Sequence, residues 1–448
     1  MSKLNIEFNG TDYSIDEANL ESATAELKTH LSSVINGTGA TIKLSGTAYS
    51  VDSTKLSNAR NNLVSHLGTI SGSGSKVVVD GVKYELDSTK LNNAVAEIHA
   101  TLNNLSSGGD EPSVASGPYL TFSSPSSFTL NVANNSKSWN GTLEYSTDTN
   151  SWDIWDGTTA LSADNGKLYL RGTGNTYITN WDGSSAKWVL TGSDISCSGN
   201  IENLLDHTVV ANGEHPTMAR GCYFNMFADC TSLVTAPELP ATTLTNECYD
   251  SMFRGCTSLT TAPELPATTL VWKCYDSMFR GCTSLTTAPA LPATTLANGC
   301  YLSMFAGCTN LVTAPELPAA TLEDYCYQSM FNGCTNLVTA PELPATTLAN
   351  ECYSSMFNGC TNLVTVPGLP ATTLVKSCYY NMFNGCTNIK VSASQTDEYQ
   401  TEYRIPTSGT GVIGGASLSY MFSNTGGTFT GTPEINTTYY LHTSNSVV

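Results

Sequence analysis

Residues 222–247 read CYFNMFADCTSLVTAPELPATTLTNE, and the line returns with small changes every 26 residues to about Val391. Cysteines open seven copies, at Cys222, Cys248, Cys274, Cys300, Cys326, Cys352 and Cys378. A second cysteine follows eight residues on, at Cys230, Cys256, Cys282, Cys308, Cys334, Cys360 and Cys386. Of the fifteen cysteines only Cys197 stands outside this register. A fixed period of this length marks a solenoid, whose units cannot bury an apolar face alone. Function is therefore sought in an extended repeated surface rather than in one pocket.

Within a copy, Cys248, Met252 and Cys256 fall at i, i+4 and i+8, with Tyr249 and Phe253 one step round. That spacing predicts a short helix with one apolar stripe, closed by Gly255. Leu259 and Ala262 then lead through Pro263-Glu264-Leu265-Pro266 to Leu270. The paired prolines exclude ordinary ladder bonds, so this part reads as extended and turning, with room for a short strand near Leu259. The repeat's cysteines have three possible uses: disulfides, a metal array or buried thiols. A helix would hold the pair of one copy about 12 Å apart, beyond the reach of a disulfide. Neighbouring helices packed about 8–10 Å apart are poorly placed as well. Zinc ligands at C-x₂₋₄-C spacing are absent. The expectation is reduced thiols stacked in a core.

These residues resemble a known family. CYDSMFRGCTSL (Cys248–Leu259) followed by an LP element is similar to the cysteine-containing leucine-rich repeats of BspA-type bacterial surface proteins. The period here is a few residues longer, the cysteine is doubled and the PELP corner is added. A wider likeness covers residues 119–448, through LEYSTDTNSWDIW, KLYLRGTG, SGNIENLLD, the repeats and VSASQTDEYQTEYRIPTSGTG. In that likeness the chain resembles proteins encoded by gut bacteria and their bacteriophages. The resemblance implies a surface or virion protein with an adhesive role, and names no ligand.

Outward from the repeats, residues 1–104 hold a different unit three times. Asn9-Gly10, Ser45-Gly46 and Asp80-Gly81 each sit between short alternating strands, as hairpin turns do. Asp16, Asp52 and Asp87 stand at N-cap positions before runs of helical spacing such as Leu20, Ala23, Leu27 and Leu31. The unit reads as ββα. His30, His66 and His99 fall in these runs, one per unit, the first two in register and His99 shifted from it, which favours a helix face over a metal site. Residues 105–118 form a Ser/Gly/Pro linker. Residues 119–200 carry short alternating strands and read as a small β-sandwich. Its tryptophans, Trp139, Trp152, Trp155, Trp181 and Trp188, supply either core bulk or, at Trp152 and Trp155, a sugar-stacking platform. Residues 201–391 form the solenoid, with Ile201–Asp206 covering its first face. Residues 392–448 form a C-terminal cap holding a degenerate eighth copy, where Ser417 and Thr425 replace the cysteines around Tyr420-Met421-Phe422. The fold class expected is thus mixed α/β and multidomain.

With 448 residues, 13% charged and a net charge of −19, the chain is poor in the cations that nucleic acid or an anionic membrane surface require. No run of eighteen apolar residues suggests a membrane span. The N-terminus shows no apolar h-region, which reads against a secretory signal. No nucleophile–base pair or recurring histidine constellation suggests catalysis, and no cofactor is expected. Glu238, Glu264, Glu316 and Glu342 repeat at 26-residue spacing, broken by Ala290 and Gly368, as a solvated corner or a weak calcium ladder. Variation between copies concentrates before each opening cysteine, as in Val271-Trp272-Lys273 and Glu323-Asp324-Tyr325. It also falls at Arg254, Arg280, Asn332, Asn358 and Asn384. Trp272 and Tyr325, read as exposed, and Arg254 and Arg280 are the candidate ligand contacts.

The expectation from all this is a non-enzymatic, structural bacteriophage virion protein. It would be a fibre or capsid-associated appendage on head or tail, assembled in the host cytoplasm and displayed on the virion surface. Its N-terminal units would bind other virion proteins and form a homo-oligomer, while the solenoid meets host-surface or mucosal glycan or protein. A bacterial cell-surface adhesin of the leucine-rich-repeat type is the alternative, and a carbohydrate-binding module of a larger enzyme system a third.

Overall fold

The computed structural model describes residues 119–179, 187–409 and 416–448, together with the backbone of six strands at 4–8, 11–15, 41–44, 47–50, 75–79 and 82–86. The chain divides into two compact units, Met1–Pro112 and Ser113–Val448. In the first, β1 (Leu4–Phe8) pairs antiparallel with β2 (Thr11–Ile15), β3 (Thr41–Leu44) with β4 (Thr47–Ser50), and β5 (Ser75–Val79) with β6 (Val82–Leu86). Each register leaves two residues between the strands, as a two-residue hairpin demands. The helix expected in each ββα unit, with His30, His66 and His99, lies outside the described residues.

The second unit opens with two sheets. The strands are β7 (Leu120–Ser123), β8 (Phe128–Val132), β9 (Thr142–Ser146), β10 (Asp153–Trp155), β11 (Leu161–Ala163), β12 (Lys167–Thr173), β13 (Trp188–Thr191) and β14 (Ile195–Ser198). One sheet runs β11-β8-β13; the other runs β10-β9-β12-β7-β14 and gains a sixth strand, β15 (Leu233–Thr235), from the first coil of the solenoid. β14 and β15 pair in parallel, Ile195 with Leu233 and Ser196 with Thr235. The parallel ladder then continues one bridge per coil, Thr235 to Thr261, Thr287, Thr313 and Thr339. Sandwich and solenoid therefore share one core. Trp188 is fully buried and its ring meets Phe227 of the first coil edge-on at 5.9 Å, while its backbone N–H donates to the Met226 carbonyl at 2.7 Å. With α1 (Asn203–Ala211) and the buried Ile201, Leu204 and Leu205, the sandwich seals the open end of the stack.

The helix expected over CYDSMFRGC is absent. Three residues of each coil, four positions apart, have positive φ: Glu247, Ser251 and Gly255 in the second coil, at 58°, 56° and 74°. Such left-handed residues every fourth position cannot belong to an α-helix. They wind the segment into tight turns of four residues each. Backbone bonding alternates along it. Met252 and Arg254 donate to the carbonyls three residues back, Tyr249 and Ser251, at 3.2 and 3.1 Å. Tyr249, Ser251, Phe253 and Gly255 instead donate to Cys274, Asp276, Met278 and Arg280 of the next coil, at 2.8–3.0 Å. Both families of buried N–H groups are thereby satisfied, as burial requires. A period of four also explains why i, i+4, i+8 spacing imitates a helix: Cys248, Met252 and Cys256 do share one buried face, on a different backbone. The mixed α/β expectation is corrected accordingly, since among the described residues strands and turns dominate and α1 is the one α-helix.

Side chains stack in register along the coil axis. Seven tyrosines from Tyr223 to Tyr379 lie with neighbouring rings 5.6–5.9 Å apart. Phe227 to Phe383 do the same at 5.7–5.8 Å, and Phe422 of the degenerate copy extends that column at 5.8 Å. Ser417 and Thr425 occupy the two cysteine positions there: the coil before them donates from Tyr379, Phe383 and Gly385 to Ser417, Met421 and Ser423. Tyr399–Arg404, Thr438–His442, Lys390–Ser392 and Gly426–Gly427 form a four-stranded sheet that closes this end.

Candidate binding surface

What the coil buries and what it shows are cleanly divided. Opening cysteine, tyrosine, methionine, phenylalanine and second cysteine are at most 2% exposed in all seven copies. All fifteen cysteines are free and buried. From the second copy on, the second thiol of each coil donates to the phenylalanine carbonyl of the coil before, as Cys308 does to Phe279 at 3.0 Å. Burial pushes every thiol of the two columns upward, Cys230 and Cys378 up to about 11 and Cys308 to about 12. A thiol held so far from its thiolate is inert toward electrophiles and metals. Among the described residues no group of three or more metal-ligating side chains converges.

The variable positions lie on the outside of the same coils. Arg254 and Arg280 are exposed on neighbouring coils. Each follows an aspartate, Asp250 and Asp276, by one four-residue turn. Trp272 is half-buried rather than exposed. The Arg220 guanidinium lies 5.2 Å and the Lys273 ammonium 5.7 Å from its ring centroid, both within cation–π range. Those cations are themselves tied down: Arg220 Nε donates to Glu247 Oε2 at 2.6 Å, and Lys273 Nζ meets Asp276 Oδ2 at 3.0 Å. Glu247, Asp250 and Asp276 are only 2%, 8% and 6% exposed. Three carboxylates and two cations thus gather around Trp272 on the first coils. Burial, with the Asp276 carboxylate beside it, pushes Asp250 up to about 7. Burial works against the Lys273 ammonium, but its bond to Asp276 and the nearby acids outweigh it and hold the ammonium above its usual range.

Tyr325 is also half-buried, at a positive φ of 62°, and stands two coils from Trp272. The structure therefore joins Trp272 to a charge cluster, leaves Arg254 and Arg280 exposed without a contact to it, and sets Tyr325 apart. Glu247, Asp250 and Asp276 escaped notice in the sequence. Asp250 and Asp276 did carry a signal, two acids 26 residues apart, each directly after an unvaried tyrosine.

Further toward the C-terminus one strip of the outer face carries an asparagine ladder. Asn336 and Asn362 each donate an amide to the asparagine of the coil before, Asn310 and Asn336, at 3.3 and 3.4 Å. In the sandwich, Trp139, Trp155 and Trp188 are core residues, 0–3% exposed. Trp152 is half-buried under the Arg171 guanidinium, 4.0 Å from its ring centroid, so the pair does not form a joint platform. Trp181 lies outside the described residues. Glu238, Glu264, Glu316 and Glu342 are exposed.

Residues 221–329 and 303–397 match the family model of the BspA type leucine rich repeat region. No curated protein and no solved structure matches the chain. The repeats between residues 221 and 397 are thus leucine-rich repeats of the BspA type, which point to a surface or adhesin-like repeat protein.

Proposed function

We propose that this chain is an adhesive display protein that does no chemistry of its own. In this reading the stacked coils are a stiff scaffold, and the outer residues that differ between coils make contact with a cell surface or mucus. One observation carries it: the cysteine, tyrosine, methionine and phenylalanine positions that recur in every coil are buried, while Trp272, Tyr325, Arg254 and Arg280, at positions that differ between coils, reach the outside. A rigid backbone holding varied side chains costs little ordering entropy on binding. The test is binding of the purified full chain to immobilised mucin and to bacterial cells. Trp272→Ala combined with Arg254→Ala and Arg280→Ala is expected to weaken binding at least tenfold with the fold intact. Unchanged binding would remove this face from the function.

A finer reading places the protein on a bacteriophage particle, as a fibre or surface appendage anchored and oligomerised through its N-terminal units. Its support is the resemblance, read from the sequence alone, of residues 119–448 to proteins encoded by gut bacteria and their bacteriophages. Mass spectrometry of gradient-purified particles tests it: recovery at fixed stoichiometry to the major capsid protein is expected. Recovery in the bacterial envelope fraction alone would replace it with the cell-surface adhesin.

A further inference from the structure

The C-terminal cap carries a concave site of its own. Between the loop after strand Lys390–Ser392 and the segment after Gly426–Gly427 lies an open cleft of about 440 Å3. Its walls are fixed by one residue. Val391 accepts backbone bonds from Thr428 at 3.0 Å and Phe429 at 2.8 Å, and pairs on its other side with Leu441. Partly exposed Phe429 supplies most of its aromatic surface, with the largely buried Tyr399 beside it in the lining. Neither ring is free to swing: Tyr399 packs edge-on to His442 at 5.3 Å, and Phe429 packs against Tyr439 at 4.6 Å. Around these rings stand the exposed hydroxyls of Ser394, Thr396 and Thr428 and the carboxylate of Glu398.

The lining selects a ligand chemistry. Its volume is in the range of small-molecule sites, with preformed walls and a few convergent polar groups. No lysine, arginine or histidine lines it, and Glu398 sits at its mouth, so phosphate, sulfate and carboxylate groups are disfavoured. A wholly apolar ligand would leave the hydroxyls and the carboxylate unpaired. A pyranose ring satisfies both demands, offering C–H groups to an aromatic surface and hydroxyls to Ser, Thr and Glu. We propose that this cleft is a subsite for one neutral saccharide unit. The inference rests on the display reading given above and deepens it, by placing ligand contact at the capped end as well as on the coils.

The experiment uses the full chain on immobilised oligosaccharides ending in galactose, mannose or N-acetylglucosamine, with sialylated and sulfated ones as acidic controls. Affinities for hits are then measured by titration calorimetry. Thr428→Trp fills the cleft from an exposed position, and Glu398→Ala removes its carboxylate. Both are expected to weaken binding of a neutral glycan at least tenfold, with circular dichroism unchanged, while Thr313→Ala, an exposed change remote from the cleft, leaves it as in the wild type. Binding retained by both cleft variants but lost in Trp272→Ala would overturn the cleft and keep the display reading. Absence of any neutral-glycan binding, or preference for the acidic controls, would also overturn it. Attachment to mucin and cells, measured separately, judges the display reading itself.

Discussion

The two long sides of each coil are held together by different means. On the cysteine side, alternate N–H groups bond to the next coil, two aromatic columns stack, and a thiol column reaches back to phenylalanine carbonyls. On the threonine side, neighbouring coils share single parallel bridges, Thr261 to Thr287 and Thr269 to Thr295 among them, and the bridging side chains face solvent. Cohesion is concentrated on the cysteine side; the threonine side is equally constant in sequence, but its bridging residues such as Thr261 and Thr269 are exposed, so substitution at them is expected to cost little. In a solenoid, stability is roughly a sum over units and their interfaces. The cysteine side supplies most of that interface.

The comparison can be broken most severely in the phenylalanine column. Phe305 is fully buried between Phe279 and Phe331. Phe305→Ala should cost about 3–5 kcal/mol in guanidinium unfolding, since the coils on both sides prevent collapse of the cavity. A smaller effect, opposite in sign, is expected at Asp250. Its folded pKa of about 7 lies above the usual 3.8. The protonated form therefore adds stability that is fully present below about pH 4 and is lost as pH rises to about 7. Asp250→Asn should match wild type near pH 4 and exceed it at pH 8 by something on the order of 2 kcal/mol. Denaturation curves across that range check both the sign and the window.

Third comes the thiol column. Cys308→Ala loses one hydrogen bond to the Phe279 carbonyl, which keeps its backbone donor, Cys282. The expected loss is about 1–2 kcal/mol. The smallest effect belongs to the other side: Thr313→Ala removes an exposed side chain and leaves its backbone bridges, so a change within about 0.5 kcal/mol is expected. Were Thr313→Ala as damaging as Phe305→Ala, the asymmetry between the sides would be lost.

The period of 26, the inward-facing residues and the free, buried thiols were all legible in the sequence, because burial follows spacing whatever backbone supplies it. The backbone itself was not. Cys248, Met252 and Cys256 fit a period of 3.6 as well as one of four over so short a span. The distinguishing residues are those at positive φ, and only some announce themselves. Gly255 and Ser251, four apart, are turn-tolerant types, but Glu247, Lys273 and Tyr325 hold the same conformation without any compositional sign. Register bonding to the next coil forces it on them. The candidate surface was legible in part for a related reason. Variation marked Trp272 and Arg254, whereas the acids beneath Trp272 are gathered by stacking, which one copy of the repeat cannot reveal.

Thiol alkylation tests the stacked-coil account most directly. Native full-length protein would be treated with iodoacetamide without reductant, and each cysteine read by peptide mass spectrometry before and after guanidinium unfolding. The account predicts that the fourteen repeat cysteines stay unmodified in the native state and all become modified on unfolding. Labelling of the native columns, or cysteines still blocked as disulfides after unfolding, would contradict it.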